Sequence, residues 1–213
     1  MKIAIEGMDG VGKSTVARRI AEEFNMLYLE KPIINLFKNS SGNGVKLFND
    51  VCQNIYNLDN EILKAWFFGL GNLYSFLEYE NQDIIVDRHF VSNYFWNGTE
   101  RSNAVYQTMI NLIGVPDITI VLYAPWKVRK ERIRNRNMSD PDLTDEEKKV
   151  DGYDKMYKFL DDFSIPYCVV DTENKDVDEV TSTVAQIISN YKTKNKVLER
   201  KKDFSFVKKY EGK

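Results

Sequence analysis

Gly7, Gly10, Gly12, Lys13 and Ser14 fall within one short stretch, IAIEGMDGVGKST, at the end of an apolar run. Glycines this dense suit neither a strand nor a helix. Glycine does accept backbone angles that other residues avoid, and it lets a bound group come close to the main chain. The spacing G-x-x-x-x-G-K-S is that of a phosphate-binding loop. Its backbone N–H groups would wrap a phosphate, and the helix opening near Lys13 would add unpaired N–H groups and the positive end of its dipole. Lys13 is expected to reach the terminal phosphates, and the Ser14 hydroxyl to hold Mg²⁺.

Two further groups of residues fit the same chemistry. Asp87 and Arg88 follow the apolar run DIIVD. A carboxylate there can orient Mg²⁺ or its waters, and an arginine offers a rigid two-pronged grip on phosphate. In WKVRKERIRNR, a turn of 100° per residue puts Arg129, Arg132 and Arg136 on the same broad side as Val128 and Ile133, with Lys127, Lys130 and Arg134 opposite. Arginines sharing a side with apolar residues are expected to face something anionic and to neutralise charge on a phosphoryl group in transfer. His89, the single histidine, is expected to pack or hydrogen-bond, since phosphoryl transfer needs no histidine.

These residues need a frame, and the apolar pattern supplies one. Strands are predicted at 2–6, 26–30, 83–87, 117–124 and 166–171. They read as near-continuous apolar runs, as strands covered on both faces do. Helices are predicted from about 59 to 80, 125 to 136, 144 to 163 and 177 to 191, besides the one after the loop. The alternation implies an α/β fold: a doubly wound, five-stranded parallel sheet with helices on both faces and right-handed crossovers. Ligands in such sheets sit at the carboxyl ends of the strands, which is where the loop and Asp87-Arg88 fall. KNSSGNG, 38–44, reads as a flexible loop.

The 213 residues, 43% apolar and 13% aromatic, are enough for one domain, expected over 1–192 with a lysine-rich extension at 193–213 that reads as a solvated helix or tail. A net charge of −2 gives no reason to expect a nucleic-acid or membrane partner. Cys52 and Cys168 lack metal-ligand spacing and read as reduced core residues. No signal-peptide pattern precedes the first strand and no apolar run approaches membrane-spanning length, so a cytoplasmic location is expected and the NGT sequon at Asn97 carries no consequence.

Four segments together resemble the thymidylate kinases, a family of P-loop nucleoside monophosphate kinases. EGMDGVGKST is similar to the family's E-G-x-D-G-x-G-K-[ST]-T opening, and DRHFVSNYFWNG to its D-R-[YH]…S-S-x-A-Y-Q-G segment. ERIRNR is similar to the start of its lid, and VDGYDKMY to its V-x-x-x-Y helix. The resemblance covers roughly residues 1–190 and implies an ATP- and Mg²⁺-dependent kinase, typically homodimeric, with a short lid at about 132–148. ATP would be held by Gly7, Asp9, Gly10, Gly12, Lys13, Ser14 and Thr15, and the metal by Ser14 and Asp87. Asp9 would touch the acceptor's sugar and Arg88 its phosphate. Ser92, Asn93, Trp96 and Asn97 would line the nucleoside pocket. Lys13, Arg88, Arg132 and Arg136 would carry the transfer, the last two from the lid, because the loop itself has no arginine.

The acceptor side departs from the family's pattern. Lys31 stands where R-E-P-G-G has its arginine, and Asn72 where the long helix has another. Trp96 and Asn97 replace a tyrosine and a glutamine. The resemblance implies dTMP as acceptor, with looser base selection. The rival is a deoxynucleoside kinase acting on a free 5′-hydroxyl, which needs a general base; Glu30 is its candidate. A regulatory ATPase is a third class, against which stands the absence of a second sensor motif.

Overall fold

Ile120 and Leu122 pack on one side of a central strand while Val121, between them, packs on the other. That two-sided burial explains the unbroken apolar runs. The computed structural model describes residues 1–38, 42–143 and 152–198, apart from the side chains of residue 141 and of 194–198. The strands are β1 (Lys2–Glu6), β2 (Leu27–Glu30), β3 (Ile84–Asp87), β4 (Ile118–Tyr123) and β5 (Tyr167–Asp171). They form one five-stranded sheet in the order β2-β3-β1-β4-β5, parallel throughout. Ile3 pairs with Ile85 on one side and Ile118 on the other, so β1 is central and the loop that follows it leaves from the middle of the carboxyl edge.

The helices are α1 (Lys13–Phe24), α2 (Gly44–Tyr56), α3 (Glu61–Glu78), α4 (Phe90–Asn97), α5 (Asn103–Ile113), α6 (Trp126–Arg136), α7 (Tyr153–Asp162) and α8 (Val177–Leu198). One face of the sheet buries Val16 and Ile20 of α1 with Val184 and Ile188 of α8. The other buries Phe90 and Tyr94 of α4, Tyr106 and Met109 of α5, and Phe159 of α7.

Several elements differ from expectation. Gly44, read as part of a loop, opens α2, a helix the apolar pattern did not announce. Any side chain at Gly44 would collide with the Phe37 carbonyl, its Cβ only 2.2 Å away, so the residue marks a close crossing of two backbones. α4 and α5 were likewise not read as helices. α8 continues to Leu198 and so crosses the boundary expected at 192–193. Residues 39–41 of the KNSSGNG segment, residues 144–151, which include the end of the expected lid and the start of the expected 144–163 helix, and residues 199–213 of the extension lie outside the described residues.

Candidate active site

β1 ends at Glu6, and the chain turns at Gly7 with φ +133; a Cβ there would lie 2.4 Å from the Leu122 carbonyl of β4. Only glycine lets the loop leave the sheet this way. α1 then begins at Lys13, whose ammonium donates to the Met8 carbonyl at 2.8 Å and lies 3.7 Å from the Asp9 carboxylate. Burial, reinforced by the nearby Arg88 charge, pushes the Lys13 pKa down to about 8.

The Ser14 hydroxyl donates to the Asp87 carboxylate. The Tyr28 hydroxyl reaches the same carboxylate oxygen at 3.3 Å. The other, Asp87 Oδ1, is buried and has no hydrogen-bond partner among the described residues. A hydroxyl and a carboxylate with a spare buried oxygen are hard donors that suit Mg²⁺, which takes one or two protein oxygens and completes its shell with phosphate and water.

Arg88 adopts a left-handed backbone, φ +76, rare for a residue with a side chain. It forms an ion pair with Asp9. These two residues line both cavities at the sheet's carboxyl edge. The smaller cavity, about 480 Å³, is walled by Gly10, Gly12, Lys13, Ser14 and Thr15 on one side and by Arg132 and Arg136 on the other. The larger, about 910 Å³, is lined by Lys31 and Asn72 and by four residues of α4: Ser92, Asn93, Trp96 and Asn97. The structure thus gathers the predicted donor-side residues, apart from Gly7 and the metal candidate Asp87, around one cavity and the predicted acceptor-side residues around the next.

The details refine several expectations. Arg129 is fully buried and lines neither of these two cavities, donating to the Ala124 carbonyl at 3.1 Å and the Asp9 carbonyl at 3.3 Å, with its guanidinium 5.1 Å from the Trp126 ring. It braces α6 against the phosphate loop, because a side chain this early in the helix points back beneath it. Arg132 holds Thr172, at 2.9 Å to the hydroxyl, and Arg136 pairs with Asp140 at 2.6 Å. Glu30, the candidate base of the rival reading, pairs with Arg18 at 2.7 Å and lines neither of these two cavities. The Ser92 side chain reaches the larger cavity, but its hydroxyl donates to Glu6. His89 packs between Phe76 and Phe90, ring centroids 4.3 Å from each, and burial pushes its pKa down to about 3. Both cysteines are free thiols; Cys52 is buried, as expected, and also lines the larger cavity.

Sequence reasoning missed Glu6. It is wholly buried and accepts from the backbone N–H groups of His89 at 2.7 Å, and of Val91 and Ser92 at 3.2 Å each. Burial raises its pKa, while the bonds from Ser92 and His89 act the other way. It caps α4 from a different strand and so sets the wall of the larger cavity. The available signal was a carboxylate closing an apolar strand.

A phosphate loop, a basic helix facing it, and a second cavity sharing one ion pair with the first define a P-loop kinase. The family model for thymidylate kinase matches residues 5–184, and the chain belongs to that family of nucleoside monophosphate kinases. It is 28% identical over 146 residues to a probable thymidylate kinase of Metallosphaera sedula, covering 64% of this chain and 67% of that one. It is also 28% identical over 200 residues to a cytidylate kinase of Methanocaldococcus jannaschii, covering 90% and 99%. Among solved structures, thymidylate kinase from Candida albicans shares the fold at TM-score 0.64 and 20% identity, covering 90% and 92% of the two chains. Deoxyadenosine kinase from M. mycoides does so at TM-score 0.60 and 20% identity, covering 89% and 100%.

Proposed function

We propose that this protein transfers the γ-phosphoryl group of ATP to the 5′-phosphate of dTMP, giving dTDP. The observation that carries this reading is the charge at the acceptor cavity. Arg88 and Lys31 line it, whereas Glu30, the candidate base read from the sequence, does not line it and pairs with Arg18. Cations hold an existing phosphate; a free 5′-hydroxyl would need a base instead. The amide side chains of Asn72, Asn93 and Asn97 belong to the lining of the same cavity. Thymine offers two carbonyls and an N–H to match them.

In this reading Lys13 holds the terminal phosphates through its ammonium, and the loop N–H groups hold the bridging oxygens. Arg88 releases or shares Asp9 to grip the acceptor phosphate. Arg132 and Arg136 neutralise charge on the group in transfer. Ser14 and Asp87 would hold Mg²⁺, which when bound neutralises phosphate oxygens. We also place the enzyme in the cytoplasm, as a homodimer. In support, α3 exposes Ile62, Trp66, Leu70 and Leu77, spaced by helical turns, at 39, 36, 41 and 60% of their surface. No helix among the described residues is long and apolar enough to cross a membrane.

The test is kcat/KM for thymidine, dTMP and the other deoxynucleoside monophosphates with ATP. dTMP is expected to lead, followed by other monophosphates more closely than a pocket with arginine at position 72 would allow. Preference for free nucleosides overturns the assignment.

A further inference from the structure

Residues 152–157, the described part of the VDGYDKMY segment, line neither cavity. Two side chains in the first turn of α7 nevertheless reach the frame of the site. The Tyr153 hydroxyl donates to the Leu122 carbonyl at 3.1 Å and accepts from the Ala124 N–H at 3.3 Å, at the carboxyl end of β4. The Lys155 ammonium donates to the carbonyls of Phe95 at 2.7 Å and Gly98 at 2.9 Å, where α4 ends. It also lies 5.4 Å from the Tyr94 ring and 5.6 Å from the Phe95 ring, close enough for each to attract a cation.

The end of α4 needs such a partner, because the last carbonyls of a helix find none within it. The Thr99 N–H, four residues past Phe95, would be the helix's own donor to that carbonyl. It bonds the Ser102 hydroxyl at 2.9 Å instead. A cation at a carboxyl end also meets the negative end of the helix dipole. Glu6 supplies the opposite charge at the amino end. The 8-residue α4 is thus held at both ends by charged side chains from other elements.

We propose that Lys155 is a positioning residue for the acceptor: by closing the carboxyl end of α4 from α7, it fixes Trp96 and Asn97 in the wall of the larger cavity. This rests on the reading of that cavity as the acceptor site. Trp96 and Asn97 lie between the two carbonyls that Lys155 holds, so a loosened last turn displaces both. α7 is a firm support for this, because Tyr153 fastens its first turn to the central part of the sheet.

The experiment measures the acceptor KM, the ATP KM and a melting curve for wild type, Lys155→Met, Lys155→Arg and Lys158→Met. Methionine keeps most of the side chain's length and removes the ammonium. Lys155→Met is expected to raise the acceptor KM about 3- to 10-fold, the net worth of a typical hydrogen bond, and to leave the ATP KM unmoved. Lys155→Arg can still donate to both carbonyls and should restore most of the loss. Lys158→Met removes an equal charge from α7, together with a pair to Asp162 at 2.6 Å, and should leave the acceptor KM at its wild-type value. An unchanged acceptor KM in folded Lys155→Met overturns the proposal. So does a rise in both KM values together, or an equal effect of Lys158→Met. The acceptor KM is read on whichever form wild type uses, monophosphate or nucleoside. A failure of the monophosphate reading therefore shows in wild type, and a failure of the Lys155 brace shows in the variants.

Discussion

Lys13 sits at the meeting point of four charged side chains, Glu6, Asp9, Asp87 and Arg88, and burial outweighs the three carboxylates that favour its proton. Its pKa of about 8, against an ordinary 10.5, has two consequences of known sign. Between these values the unfolded chain binds more protons than the folded one, so the unliganded protein gains stability as pH rises from about 8 to 10.5. ATP binding moves the other way. The free loop loses its ammonium above pH 8, so kcat/KM for ATP should fall there. Bound phosphates raise the lysine's proton affinity, so kcat at saturating ATP should hold to higher pH. Parallel pH profiles of kcat and kcat/KM, against a melting series without ATP, check both directions. A kcat/KM flat from pH 7 to 10 would contradict them.

At the scale of elements, α4 depends on a residue outside it. Three backbone N–H groups of its first turn and the Ser92 hydroxyl converge on Glu6. Glu6→Ala would leave these donors buried and unpaired, and is expected to cost about 3–5 kcal/mol, the range for breaking a buried charge-assisted pairing. Because Ser92, Asn93 and Asn97 ride on that helix, the acceptor KM should rise more than the ATP KM. Denaturant melts and two-substrate kinetics measure the two effects. This dependence was not legible in the sequence, since Glu6 and its partners are 83 to 86 positions apart. The phosphate loop was legible because its chemistry lies within eight residues, and all five strands were because both their faces are apolar. α2 was not, because it opens on a glycine placed by a neighbouring backbone rather than by its own preference. Arg129 was misread for a related reason: helical periodicity tells which side a residue is on, but not whether that side meets ligand or loop.

At the scale of the molecule, α3 presents a row of apolar side chains that the core of the described residues does not cover. Burying Trp66, Leu70 and Leu77 against a second copy would remove them from water; leaving them exposed is the costlier state. Leu70→Asp is therefore expected to turn a dimer into a monomer in sedimentation equilibrium, with the monomer still folded by circular dichroism. A wild-type chain that sediments as a monomer would refute the dimer. The same helix carries Asn72 on its inner side, so any such interface would back directly onto the acceptor cavity.

The ion pair between Asp9 and Arg88 belongs to both cavities at once. Whatever ligand recruits Arg88 or displaces Asp9 alters the field its neighbour meets, so the two occupancies are thermodynamically linked. Linkage is reciprocal: if ATP tightens or loosens the hold on the acceptor by some factor, the acceptor must change the hold on ATP by that same factor. One shared pair of charges thus gives the two binding constants a common coupling factor.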